Sequence, residues 1–224
     1  MMDWRWDFTF ETVLPRILPG LWVTVEVTFL SFALSLVLGL ALMIARRSTI
    51  RPLAFIAGEF IEFMRGMPLV VVIFFLFFLL PEVNIFLAPF WTGVLAMGIY
   101  NAAPAAEILR GGLQAVPRGQ WEAAHVLNYS TYRTWRNVVL PQAIGPVVPG
   151  LGNLLILAFK ETPLLSFVAV PEMLDVARRI ASETYRFTEP LTVVGILFLI
   201  LSLVSALLIR LVERHMLKET RHAK

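Results

Sequence analysis

Apolar residues run along this chain in long unbroken blocks, and short arginine-rich polar stretches separate them. Neither the two-residue period of a half-buried strand nor the narrow stripe of a surface helix explains blocks of that length. A hydrocarbon core about 30 Å thick takes about 20 apolar residues per helical crossing, so the uncharged intervals are the units to measure. Five qualify: Val27–Ala45, Gly66–Pro81, Val83–Ala106, Asn137–Phe159 and Pro190–Ile209. The second is short, but a helical lead-in from about Pro52 extends it, with Glu59, Glu62 and Arg65 three residues apart on one face. The pattern predicts an all-α membrane protein of about five transmembrane helices.

Between the third and fourth intervals lies "QWEAAHVLNYSTYRTWRNVVLPQA", residues 120–143, which is polar yet too rich in large apolar side chains for a solvated linker. Gln120–Leu127 predicts a short helix with Glu122 near its N-terminal end, where negative charge favours the helix dipole. Asn128 ends it, because asparagine tolerates the left-handed conformation that closes a helix where glycine is usual. Ser130 or Thr131 can cap a second short helix to about Val139, with Pro141 opening the next membrane helix. Ala123 and Ala124 would let a partner surface approach closely.

Composition agrees with the pattern. Hydrophobic residues make up 58% of the 224 and charged ones 16%, and the mean hydropathy of +0.76 is too high for an ordinary soluble domain. With no cysteine, disulfides and thiolate metal sites are excluded, and the three histidines are scattered rather than spaced as metal ligands. The opening "MMDWRWDFTFETVLPRILPG" lacks the basic start and apolar core of a signal peptide, so it is expected to stay on the mature chain, its tryptophans suiting an interfacial anchor.

Charge sets the expected orientation. With an odd number of crossings, one side collects twelve Lys and Arg, among them Arg46, Arg47, Arg51 and Arg136, and the other collects five. Cytoplasmic loops carry the excess, which puts the N-terminus outside, the C-terminus inside and the 120–143 insert in the cytoplasm. The basic end "RHMLKETRHAK" then reads as a membrane-surface anchor rather than a nucleic-acid patch.

Charges at membrane depth are the candidate chemistry. Lys160 and Glu161 end the fourth interval, and Glu107 follows the third. An ion in hydrocarbon costs about 2.5–3.5 kcal/mol even on insertion scales, so such groups face a cavity or a partner. The carboxylates could hold the cationic end of a zwitterion, and Lys160 its carboxylate. Equally, Lys160 and Glu161 could neutralise each other, and Glu107 could pair with Arg110 one turn on.

The spacing Glu122-Ala123-Ala124, then Asn128, then Val138, then Leu140-Pro141 resembles the EAA motif of binding-protein-dependent ABC importer permeases, which usually carry glycine at the position of Asn128. "FMRGMPLVVVIFF" (63–75), "AEILRGGLQAVPRGQWEAA" (106–124) and "FKETPLLSFVAVPEML" (159–174) resemble the polar amino acid branch of that family. The run from Lys160 to Pro190 and the Asn128 variant are most similar to ectoine and hydroxyectoine uptake permeases.

The resemblance implies the type I ABC importer fold, one permease domain over 1–224 and coupling helices at 119–140. It implies ABC ATPase subunits that bind ATP and magnesium, a second permease subunit, related or identical, and an extracytoplasmic solute-binding protein. Glu122, Ala123, Ala124, Asn128, Leu140 and Pro141 would form the ATPase contact. The chain has no G-x-x-x-x-G-K-[ST] loop, so hydrolysis is left to the partner; the resemblance also implies no cofactor bound by this chain and no nucleic-acid partner. A different class stays open: a subunit of an ion-gradient-driven secondary transporter or channel with the carboxylates as ion sites.

Overall fold

A computed structural model describes residues 3–222, with side chains through Val212 and at Arg214. All regular structure among these residues is helical. The basic C-terminal segment lies almost wholly outside the described side chains.

α1 is a single helix, Trp6–Arg46, of 41 residues. The first apolar interval therefore extends backward through Glu26 and Pro19 to the tryptophans. The charge that bounded the interval does not bound the helix, since a carboxylate interrupts hydropathy but no backbone hydrogen bond. The lead-in and the second interval, expected as one element, are two: α2, Arg51–Gly66, and α3, Leu69–Val83, bent by 108°. Pro68 has no N–H to donate and pushes the residue before it out of the helical region, so Met67 and Pro68 are extended at ψ 143° and 136°.

α4, Pro89–Gln114, starts later than its interval because Asn84 turns left-handed at φ 60° and closes α3. It runs on through Gly111 and Gly112 and ends at Gln114, shortly before Pro117. α5 is Arg118–Val126. α6, Thr131–Val168, spans 38 residues without a break, so the second short helix of the insert and the fourth crossing are one element. A π-helical turn at Trp135–Val139 leads directly into Leu140 and Pro141, which absorbs the proline without a new helix start. α7 is Met173–Thr184, and α8 is Thr188–His222.

By length and composition three helices can cross a membrane: α1, α6 and the part of α8 from Thr188 to Val212; the bent pair α2–α3 makes a fourth if counted as one span. α4 is long enough, about 39 Å at 1.5 Å per residue, but its alanines, glycines, Asn101, Glu107 and Arg110 keep it below that hydropathy.

α4 is the hub of the packing. Val94 and Met97 join Val27 of α1, Ile73 of α3 and Ala158 of α6 in one buried cluster. Ala103 and Ala106 join Met43 of α1, Ile61 of α2 and Ala143 of α6 in another. Among apolar helices in lipid, close approach of small residues supplies the contact. A Cβ on Gly39 would stand 3.0 Å from the Ala102 oxygen and Ala106 nitrogen, and one on Gly112 would stand 2.8 Å from the Ala143 oxygen. A third cluster packs Ile17 of α1, Met173 and Ile180 of α7 and Val194 of α8, the opposite end of the bundle from the insert.

Candidate functional site

Asn101 faces the packed side of α4, between Ala102 and Tyr100, and is 1% exposed. Its Nδ2 donates to Glu161 Oε2 at 2.9 Å, linking α4 to the α-helical end of α6. Its Oδ1 is buried without a hydrogen bond. Glu161 is half-buried, and Asn101 is its only hydrogen-bond partner among the described residues. No guanidinium or ammonium reaches it there, so a carboxylate in a low-dielectric place holds one neutral donor and has an unmet demand for positive charge. Lys160 next to it is exposed and makes no ion pair among the described residues, so the two do not neutralise each other.

Glu107 stands six residues along α4, in the opposite situation. Arg46 Nη1 donates to it at 2.7 Å and Arg110 grips both carboxylate oxygens. Arg46 also lies 3.6 Å from Glu62, itself 3.5 Å from Arg65. These five charges tie the ends of α1, α2 and α4 together, and they satisfy Glu107 within the chain. The structure thus brings Glu161 to Asn101, leaves Lys160 open, and places Glu107 in an ion network.

The insert keeps the expected bend. Asn128 is left-handed at φ 59°. Around it Tyr129 N–H donates to Ala124 O and Asn128 N–H to His125 O, each at 3.0 Å, the paired bonds that close a helix in a Schellman motif. Ser130, rather than Thr131, caps the following helix by accepting from Arg133 N–H at 3.4 Å. Trp121 and Trp135 meet edge to face at 5.5 Å across the bend, and Gln142 Nε2 donates to Gln120 Oε1 at 3.2 Å. Glu122, Ala123, Leu140 and Pro141 are exposed, whereas Ala124 is buried beneath them and serves the fold rather than a surface. Val126, Leu127 and Tyr132 stand out from the bend as an apolar patch.

Residues 37–218 match the family of binding-protein-dependent transport system inner membrane components. The chain belongs to that family. It is 43% identical to the "probable amino-acid ABC transporter permease protein" of Sinorhizobium fredii, over 90% of this chain and 87% of that one. It is 33% identical to the L-cystine transport system permease protein of Bacillus subtilis, over 95% and 93%. A crystal structure of an amino acid ABC transporter with histidines superposes with a TM-score of 0.89 at 32% identity, covering 96% of this permease and all of that chain. A methionine ABC transporter in an inward-facing form shares the fold at TM-score 0.76 and 19% identity, over 92% and 98%. This permease therefore has the type I ABC importer fold and is a multi-pass inner-membrane protein; its relatives are transport components rather than enzymes.

Sequence reading passed over two residues and one contact here. Asn101 carries no charge and so vanished inside an apolar interval, although a lone amide among alanines and glycines is itself a signal. Arg46 was counted only toward orientation. The Trp121–Trp135 pair is fourteen residues apart and needs the bend to meet.

Proposed function

We propose that this chain is the permease subunit of an ATP-binding-cassette importer for a small polar zwitterion of the amino acid class, ectoine and hydroxyectoine included. Five helices cross the membrane, with α4 as the third, the N-terminus outside and the C-terminus cytoplasmic. Residues 1–224 form one permease domain, with coupling helices at 119–140 against an ABC ATPase that binds ATP and magnesium. A second permease subunit completes the pathway, and an extracytoplasmic binding protein delivers the solute.

The observation that carries the solute site is the Asn101–Glu161 pair, a buried amide beside a carboxylate with no cation of its own. Glu161 takes the ammonium or amidinium end of the solute, and the unfilled Asn101 oxygen accepts a further hydrogen bond from it. Lys160, exposed on the same turn of α6, takes the carboxylate end. Glu107 stays outside this site, because two arginines already hold it. At the other end, Glu122, Ala123 and the apolar patch at Val126 and Leu127 lie in a groove of the ATPase. Closure of the ATPase pair on ATP moves α5, and the Trp121–Trp135 contact passes that motion to α6 and hence to Glu161. This is alternating access with the solute site on the moving helix.

The test is reconstitution with the cognate ATPase and binding protein in liposomes. ATP-driven uptake is expected, and Glu161→Gln should lower it at least tenfold while the complex still assembles and hydrolyses ATP. Uptake that follows an ion gradient without ATP would establish the secondary transporter instead, and wild-type uptake in Glu161→Gln would remove that residue from the solute site.

A further inference from the structure

A groove of about 620 Å³ opens where the last turns of α1, the last turns of α4 and the first turns of the Leu140–Glu161 part of α6 converge. Leu40, Ile44, Leu53, Leu109, Leu113 and Ile144 line it, and Arg47 and Ser48 form its polar end. A polar solute gains nothing from such walls, so the groove is not part of the transport site.

The rim differs in kind from the walls. Arg46 is committed to Glu107 and Glu62, but its neighbour Arg47 is exposed and makes no ion pair among the described residues. Ser48 Oγ accepts from Ile50 N–H at 3.1 Å, which leaves its own proton free to donate. A free guanidinium and a hydroxyl over an apolar slot, at the end of a membrane helix, match a phosphodiester joined to hydrocarbon. A zwitterionic headgroup would bring its own cation to this positive rim.

We infer that this groove is a binding site for one anionic phospholipid, with its phosphate on Arg47 and Ser48 and an acyl chain between α1, α4 and α6. The site rests on the permease reading of the chain but not on its solute. Because the groove spans the ends of α1, α4 and α6 beside the Glu107 network and Trp135, an occupied site braces the part of the bundle next to the insert.

Native mass spectrometry of the purified permease–ATPase complex, incubated with equal phosphatidylglycerol and phosphatidylcholine, tests this directly. Wild type should retain phosphatidylglycerol preferentially. Arg47→Gln should reduce that retention about fivefold, the factor one juxtamembrane arginine contributes, and leave phosphatidylcholine retention unchanged. Ile44→Trp, a change at an exposed position that fills the slot, should reduce retention of phosphatidylglycerol while the complex stays intact. Equal retention of the two lipids, unchanged retention in Arg47→Gln, or displacement of the lipid by millimolar glycerol phosphate would each overturn the proposal. The last outcome would make it a site for a free phosphate. Loss of transport is not a readout here, so failure of the lipid site and failure of the permease reading stay distinguishable.

Discussion

Glu172 is fully buried at the head of α7, where its carboxylate accepts from Leu174 N–H at 2.9 Å and Asp175 N–H at 2.7 Å. Burial pushes its carboxyl up to about 7, against the two backbone bonds that hold it down; nearby Asp175 raises it further and Arg178 lowers it. The folded protein thus holds a proton that the unfolded chain, with an ordinary glutamate value of 4.5, would release. Stability from this group is complete below about pH 4.5 and is lost as pH rises through about 7, on the order of a few kcal/mol. Hydrogen exchange of the α7 amides, corrected for intrinsic rate, should show protection falling between pH 5 and 8 in wild type. Glu172→Gln, neutral and keeping one acceptor oxygen for one of the two bonds, should lower protection but hold it constant across that range; a slope equal to wild type would assign the pH dependence elsewhere. None of this is written in hydropathy, since Glu172 in "VPEML" is buried only once Gly20 of α1 closes over its backbone, 3.1 Å from where a Cβ would sit. By the same logic Glu161 was legible as a charge at depth, whereas its partner Asn101 was not.

At the scale of elements, local rules were sound where the chain obeys its neighbours and failed where the hydropathy measure outvoted them. The bend at Asn128 follows from one residue's backbone preference, and it survives in the fold. Asn128→Gly should keep transport and change stability by less than about 1 kcal/mol, since glycine adopts positive φ freely. Asn128→Val should cost about 1–2 kcal/mol in thermal unfolding and lower the ATPase activity coupled to transport, because a straightened insert would part Trp121 from Trp135. Equal behaviour of the two variants would show that the left-handed residue is not what sets the bend. The break at Met67–Pro68 was equally readable from the restriction that proline imposes on the residue before it, yet counting uncharged residues joined α2 to α3 across it. Conversely, Pro141 looked like a helix start and is not one, because a preceding π-helical turn gives the ring its space.

The whole molecule turns on α4. Its flanking ends and its Asn101, Glu107 and Arg110 make it too polar to pass as a crossing by hydropathy, but a helix wrapped by α1, α2, α3 and α6 meets protein rather than lipid and needs no apolar surface of its own. Five crossings follow if α4 spans and α2–α3 counts once, and the side of each loop is then fixed. The chain has no cysteine, so every engineered one is unique. Phe86 and Tyr185 are 76% and 79% exposed, and Ile50 and Val126 are 61% and 83% exposed, so all four are reachable by a maleimide. In cells expressing the chain without its ATPase, Phe86→Cys and Tyr185→Cys should label with a membrane-impermeant maleimide while the cells are intact, whereas Ile50→Cys and Val126→Cys should label only after permeabilisation. Phe86 and Val126 flank α4, so their labelling from the same side would mean that α4 does not cross. In that event α5 and the insert would lie on the side of the binding protein, out of reach of any ATPase, and the coupling role of Glu122 would fall with the topology.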